Sequence, residues 1–203
     1  MAQSLSAIAL LLASTAPAQT PDQALITQAT RYLDALRSAH GRFVQADGAG
    51  RQQTGELWLQ RPGRARFDYD KPSGVTIAAN GAAVTIVDRR LKTLHRYPLA
   101  FTPLSIFLSD NLKFGSSVRI LAVNPTAAGF AIAAADKRGK AKEQIVLDFA
   151  RAPVRLLGWT LTDARGGRVQ VRLTALAPSA PKPHSFFETS LPTATPDLPA
   201  QPG

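Results

Sequence analysis

The sequence predicts a mainly β protein: an open, curved antiparallel sheet of roughly ten strands with two helices in its mouth. Three observations lead there. Short runs of alternating apolar and polar residues, separated by Gly, Pro and Asn turns, occupy most of the chain from Arg42 onward. Two segments carry apolar residues at helical spacing instead. Finally, the areas do not match: at about 4.8 Å per strand the sheet is about 48 Å wide. A helix about 27 Å long and about 10–12 Å across, with a short companion, cannot cover it. The apolar face must close as a barrel, fold into a sandwich, or curve around the helices and leave a cavity. Small late-strand residues assigned to the interior (Ala131, Ala133, Ala135) favour the curved sheet.

The first residues, MAQSLSAIALLLASTAPAQT, have the form of a secretory signal over 1–18, with Ala16-Pro17-Ala18 as the cleavage pattern. A buried N-terminal helix is the alternative, and the apolar run is too short to span a membrane. Thr20-Pro21-Asp22-Gln23 then resembles a capping box, predicting a helix to about Ala39 that ends near Gly41. Leu25, Ala29, Leu33 and Leu36 make its apolar stripe.

Strands are expected over 42–47, 53–60 and 64–70. On the last, Ala65, Phe67 and Tyr69 face one way and Arg64, Arg66 and Asp68 the other. On the strand before it Leu57, Leu59 and Arg61 share a face, so a guanidinium ends an apolar row beside the Arg61-Pro62-Gly63 turn. A buried Arg needs polar partners. Strands over 75–79 and 82–87 meet across Asn80-Gly81, a strong hairpin signal. Another covers 94–99, and Thr102-Pro103 caps a short helix through Pro103, Leu104, Ile106, Phe107 and Leu108. Five further strands follow over 118–123, 129–135, 143–149, 154–163 and 168–176. One domain therefore spans 19–176, and 177–203 is a Pro-rich, largely disordered tail in which Phe186-Phe187 could dock one last strand.

Composition excludes more than it assigns. The chain of 203 residues has no cysteine, which removes disulfides, thiol chemistry and a lipid anchor on Cys. The net charge of +10 favours acidic partners, or else marks a solvated Arg-rich face, since the basic residues are spread along strands and turns. No nucleic-acid-binding pattern accompanies it. His40, His95 and His184 lack ligand spacing, and no nucleophile, phosphate-loop or metalloprotease motif is present, so neither an enzyme nor a cofactor or metal site is expected. Asp68 and Asp70 are better read as ion-pair partners of nearby Arg than as acid and base, and Trp58 and Trp159 as strand packing rather than sugar platforms.

The order and spacing of GRFVQ (41–45), GELWLQRPGRARFDYD (55–70), ANG (79–81), TPL with the apolar helix (102–108) and GWTLTDARGG (158–167) resemble the periplasmic outer-membrane lipoprotein carrier protein, or LolA-like, family. The resemblance implies a half-open β-barrel whose concave apolar face is closed by a helical lid. It implies a soluble, monomeric periplasmic carrier that takes lipid-modified proteins from an inner-membrane lipoprotein-releasing ABC transporter complex to an outer-membrane receptor. By position Arg61 is then the latch that bonds lid-helix carbonyls. Leu57, Leu59, Ala65, Phe67, Tyr69, Val75, Ile77 and Ile86 become the acyl-chain-binding wall, and Leu25, Ala29, Leu33 and Leu36 the helix face turned to the cavity. A periplasmic binding module for a small lipid or other apolar ligand, without protein cargo, is the alternative.

Overall fold

The computed structural model describes residues 21–110, 118–137 and 143–191; the expected signal segment and the last residues of the tail lie outside them. Helix α1 (Pro21–Ala35) leads into β1 (Ser38–Asp47), β2 (Gln52–Gln60), β3 (Arg64–Tyr69), β4 (Val75–Asn80), β5 (Ala83–Asp88) and β6 (Thr93–Pro98). A 3₁₀ turn (Leu99–Phe101) and helix α2 (Leu104–Leu108) come next in the chain, then β7 (Val118–Thr126), β8 (Gly129–Asp136), β9 (Gln144–Arg151), β10 (Val154–Thr162) and β11 (Arg168–Pro178).

The eleven strands form one antiparallel sheet in the order β6-β5-β4-β3-β2-β1-β11-β10-β9-β8-β7. Two meanders are thus sewn together by β1 on β11, with Ala39 opposite Pro178 and Asp47 opposite Val169. Among the described residues the ends, β6 and β7, do not pair, so the barrel stays half open. Turn chemistry explains the local register: Asn80 Oδ1 accepts the Ala82 and Ala83 amides at 3.1 and 3.0 Å, and Gly81 takes φ +101°.

The core fills the concave side. Ala29 and Leu33 of α1 and Phe107 of α2 are fully buried there against Leu57, Ile132, Leu147 and Phe149. Tyr32 meets Phe149 edge-on at 6.3 Å, which seats α1 over the second meander.

Four expectations need correction. The first helix stops at Ala35, not near Ala39; Leu36 and Arg37 close the last turn on Tyr32, Leu33 and Ala35 carbonyls, and Ser38–Gly41 pair with Leu57–Gln60. Buried Ala39, Gly41 and Phe43 continue the apolar series with period two, which a helical reading absorbs by mistake. Thr102 does not cap α2: its hydroxyl donates to Leu99 O at 2.9 Å and closes the 3₁₀ turn, leaving Pro103 as an N-cap with no side-chain bond. On β8 the core row is Phe130, Ile132 and Ala134, not Ala131, Ala133 and Ala135. That strand is apolar on both faces, so alternation alone assigns no side.

The fourth concerns the tail. β11 runs through Pro178, and the next residues cross the outer face as a strap. Ser179 N–H donates to Ser38 O at 3.1 Å and Lys182 N–H to Gln60 Oε1 at 2.7 Å. Phe186 and Phe187 form a 3₁₀ turn (His184–Phe187) rather than a strand. Phe187 is buried, and Phe186 meets Trp58 edge-on at 5.2 Å, Trp58 in turn stacking on His40 at 4.7 Å. Arg66 lies 5.0 Å over Phe186 and donates to its carbonyl at 3.0 Å. The strap packs on β3 and β4, and on that outer face Thr76 and Ala78 are buried.

Candidate functional site

The site is built at the point where β2 ends. Leu57 and Leu59 point into the core, so parity carries Arg61 inward as well, and its side chain is buried at 1% exposure. Burial pulls the Arg61 pKa below its ordinary value, with Asp34 opposing that shift, and a guanidinium starts so high that it keeps its charge. Its partners are helix ends. Nη1 donates to Leu33 O in the last turn of α1, and Nη2 donates at 2.6 Å to the carbonyl of Ser109, the C-cap of α2. The last carbonyls of a helix have no partners within it and carry the negative end of its dipole. One buried cation therefore serves the C-terminal ends of both helices. Asp34 Oδ1 stands 4.0 Å from the guanidinium and balances its charge.

Two further ties hold α2 to the same corner. Gly63 N–H donates to Leu108 O at 2.8 Å. Gly63 sits at φ +76° with its Cα against Gly81, where an added Cβ would lie 2.9 Å from the Gly81 backbone, so only glycine presents that amide. Arg37, just after α1, pairs with Asp110, just after α2, at 2.6 Å across the surface. Sequence parity pointed to Arg61; nothing local marks Arg37 and Asp110, which are 73 residues apart.

Beneath α2 the packing is aromatic and aliphatic. Leu104, Ile106, Phe107 and Leu108 are buried, and Phe107 stacks on Trp159 at 5.0 Å between centroids. Beside this stack lies an apolar cavity of about 240 Å³. Phe67, Tyr69, Ile77, Val84 and Ile86 form one wall, Leu161, Val169 and Val171 the other, with Trp159 between and Thr102, Pro103 and Leu104 at the lid side. Gln45 and Thr102 are the polar residues of the lining, and Gln45 Oε1 accepts the Tyr69 hydroxyl at 2.6 Å. Burial pushes the Tyr69 pKa up to about 12.

Of the residues assigned to the wall from sequence, Phe67, Tyr69, Ile77 and Ile86 line the cavity. Leu57, Leu59 and Ala65 are fully buried in the core and do not reach it, and Val75 is half-buried elsewhere. The α1 stripe is not in the cavity lining either: Ala29, Leu33 and Leu36 are in the core and Leu25 packs beside it. Val84, Trp159, Leu161, Val169 and Val171 were missed. Their strands alternate as expected, but only the pairing of distant strands shows that they converge.

The pairs set aside from catalysis are engaged as ions. Asp68 accepts from Arg66 Nε at 2.7 Å and Thr76 Oγ1 at 2.8 Å, and Asp70 accepts from Arg42 and Thr54. Among the described residues no group of His, Asp or Glu is arranged to hold a metal ion, and no helix is long and apolar enough to cross a membrane.

Comparison with known proteins agrees with this geometry. Residues 34–190 match the family model described as outer membrane lipoprotein carrier protein LolA. The chain is 33% identical over 125 residues to an outer-membrane lipoprotein carrier protein of Azotobacter vinelandii, covering 57% of this chain and 58% of that one. It is 34% identical over 95 residues to one of Alkalilimnicola ehrlichii, covering 42% and 44%. The matches thus span about half the length of these relatives. A DUF1329 family protein from Desulfovibrio piger shares the fold at a TM-score of 0.50 and 11% identity, covering 84% of this chain and 98% of that one.

Proposed function

As the chain belongs to the LolA family of outer-membrane lipoprotein carrier proteins, we propose that it is a periplasmic carrier for lipid-modified proteins. It takes their acyl chains as they leave an inner-membrane lipoprotein-releasing ABC transporter complex and hands them to an outer-membrane receptor. The observation that carries the reading is Arg61, buried between two helix ends and holding a helix shut over an apolar cavity. The role is binding and release, with no bond made or broken.

Two magnitudes shape the mechanism. Three acyl chains of about 15 methylenes, fully buried at about 0.8 kcal/mol each, would give about 36 kcal/mol, beyond the ceiling of about 18–21 kcal/mol for noncovalent affinity. Such a grip would also prevent release. In addition, with α2 seated the cavity of about 240 Å³ is smaller than the usual range of about 300–1,000 Å³ for even a single small ligand. Loading therefore requires α2 to lift, breaking the bonds from Arg61 and Gly63. Those bonds favour the empty, closed form, so cargo is held against them and released downhill.

The test is incubation of the purified protein with inner-membrane spheroplasts. A lipoprotein recovered in the soluble fraction bound to this chain supports the reading, and none recovered overturns it. The apolar lining of the cavity suits one rival as well, a binding module for a small lipid or other apolar ligand without protein cargo. Mass spectrometry of the co-purifying material separates the two: acylated proteins for the carrier, free lipid alone for the rival.

A further inference from the structure

Among the described residues five large apolar side chains are exposed, and four lie between positions 91 and 101: Leu91 at 61%, Leu94 at 42%, Tyr97 at 48% and Phe101 at 79%. Exposed cations are interleaved with them, at Arg89, Arg90, Lys92 and Arg96. The charge that is spread out elsewhere is thus gathered on the β5–β6 hairpin, with exposed apolar side chains beside it. Arg89 is tied to Thr76 Oγ1 at 2.9 Å, but Arg90, Lys92 and Arg96 make no side-chain hydrogen bond or ion pair among the described residues.

The tip is firmly built. Asp88 Oδ1 accepts the amides of Arg90 and Leu91 at 2.9 Å each, Arg89 N–H bonds Gly74 O at 3.1 Å, and Lys92 takes φ 54°. Every residue of β6 is exposed, and it is an edge of the sheet. Cations on an edge strand deter pairing with other chains. That accounts for Arg96, but not for Leu91, Leu94 and Phe101, which work against it.

The shape decides between partners. Leu94 pairs with Val87 and Tyr97 with Val84, so the two side chains leave opposite faces of the strand. None of the four apolar residues lines the cavity beside α2. A ridge with apolar side chains on both sides would need a cleft in a folded partner. The interface of a bilayer admits such side chains in either direction, while anionic headgroups pair with the cations beside them. We propose that the β5–β6 hairpin and the 3₁₀ turn after it dock on an anionic phospholipid surface through Arg90, Leu91, Lys92, Leu94, Arg96 and Phe101. Val84 and Ile86, opposite Tyr97 and His95, line the cavity, and Thr102 at its lid side follows Phe101. Docking there brings the cavity rim to the bilayer. The proposal stands on exposure and charge and does not rest on the carrier reading.

The test is flotation of the intact, cargo-free protein with phosphatidylcholine–phosphatidylglycerol vesicles and with pure phosphatidylcholine vesicles. Binding to the mixed vesicles alone is expected. Arg90→Gln and Lys92→Gln should each weaken it about five-fold, and Leu91→Ser with Phe101→Ser about ten-fold or more. Arg155→Gln with Arg168→Gln, exposed cations on β10 and β11, should leave it unchanged. Leu91→Trp gives a second readout, a blue shift of its emission when mixed vesicles are added. Absence of binding, equal loss in the Arg155/Arg168 pair, an unshifted Leu91→Trp spectrum, or capture of an acidic protein in place of vesicles overturns the proposal. No lipoprotein is present in this assay, so its failure leaves the spheroplast result standing, and the reverse holds too.

Discussion

Arg61 Nη2 donates at 2.6 Å to the carbonyl of Ser109, joining the end of β2 to the end of α2 across 48 residues of chain. The same guanidinium holds Leu33 O, so lifting α2 leaves a buried charge with fewer partners. Arg61→Leu should therefore favour the open lid. Unpaired carbonyls cost about 1–3 kcal/mol each, and removing a desolvated charge offsets much of this, so net stability in urea should change by no more than about 2 kcal/mol. The variant should accept lipoprotein from spheroplasts and pass it poorly to receptor-bearing outer membranes. Normal transfer would refute the latch. Arg61→Lys, with one ammonium unable to span both carbonyls, should fall between.

The Arg37–Asp110 pair clasps the same helices from outside, with both side chains more than half exposed. Exposed pairs contribute about 0–1 kcal/mol and are screened by salt. Asp110→Asn should release lipoprotein slightly less readily than the native protein in dilute buffer and equally well in high salt. A salt-independent defect would mean that Asp110 acts otherwise.

Phe107 is fully buried against Trp159, and its removal opens the space under α2. Phe107→Ala should cost about 3–5 kcal/mol, read from urea unfolding. It should also shift the emission of Trp159 to the red. The other Trp of the chain, Trp58, sits on the outer face beneath Phe186 and should not respond.

Tyr69 supplies a pH dependence. Its pKa of about 12 in the folded protein lies above the value of 10.0 it starts from. The raised value favours the neutral phenol, so the stabilisation is complete below pH 10 and is lost as pH rises toward 12. A shift of this size corresponds to about 3 kcal/mol. Urea midpoints of the native protein minus those of Tyr69→Phe should fall over that interval and stay flat below it. A flat difference throughout would show that the phenol is solvated.

Gly41 lies on β1 where the two meanders join. A Cβ there would stand 1.8 Å from the Ala175 carbonyl oxygen of β11. Gly41→Ala must therefore push the strands apart at the seam, and the expected loss is above about 3 kcal/mol, measured by urea unfolding. The substitution Gly50→Ala has open space around it and should cost far less, from its φ of +78° alone.

The readable part of the site lies where one face of a strand is apolar and the other polar. Arg61 could be assigned because Leu57 and Leu59 precede it at a spacing of two, and Phe67 and Tyr69 because Arg66 and Asp68 mark the other face of β3. On β8, FAIAAA offers no such contrast, and the sequence alone does not separate the Phe130, Ile132 and Ala134 row from the opposite one. The α1 boundary is ambiguous for a related reason: Ala39 fits a helical stripe three residues after Leu36 and a strand face two residues before Gly41 alike.

What the sequence determined by itself is therefore local: the strand and helix periods, the Asn80-Gly81 turn, the glycine at 63 and the inward direction of Arg61. What only the tertiary structure decided is which groups those residues meet. The Leu33 and Ser109 carbonyls converge on Arg61 from 28 positions before it and 48 after. Trp159 joins Phe67 and Phe107 because β11 returns to pair with β1. The strap covers Trp58 because Lys182 finds Gln60. Periodicity reports how a side chain points from its own backbone; it holds no information about which distant backbone will stand opposite.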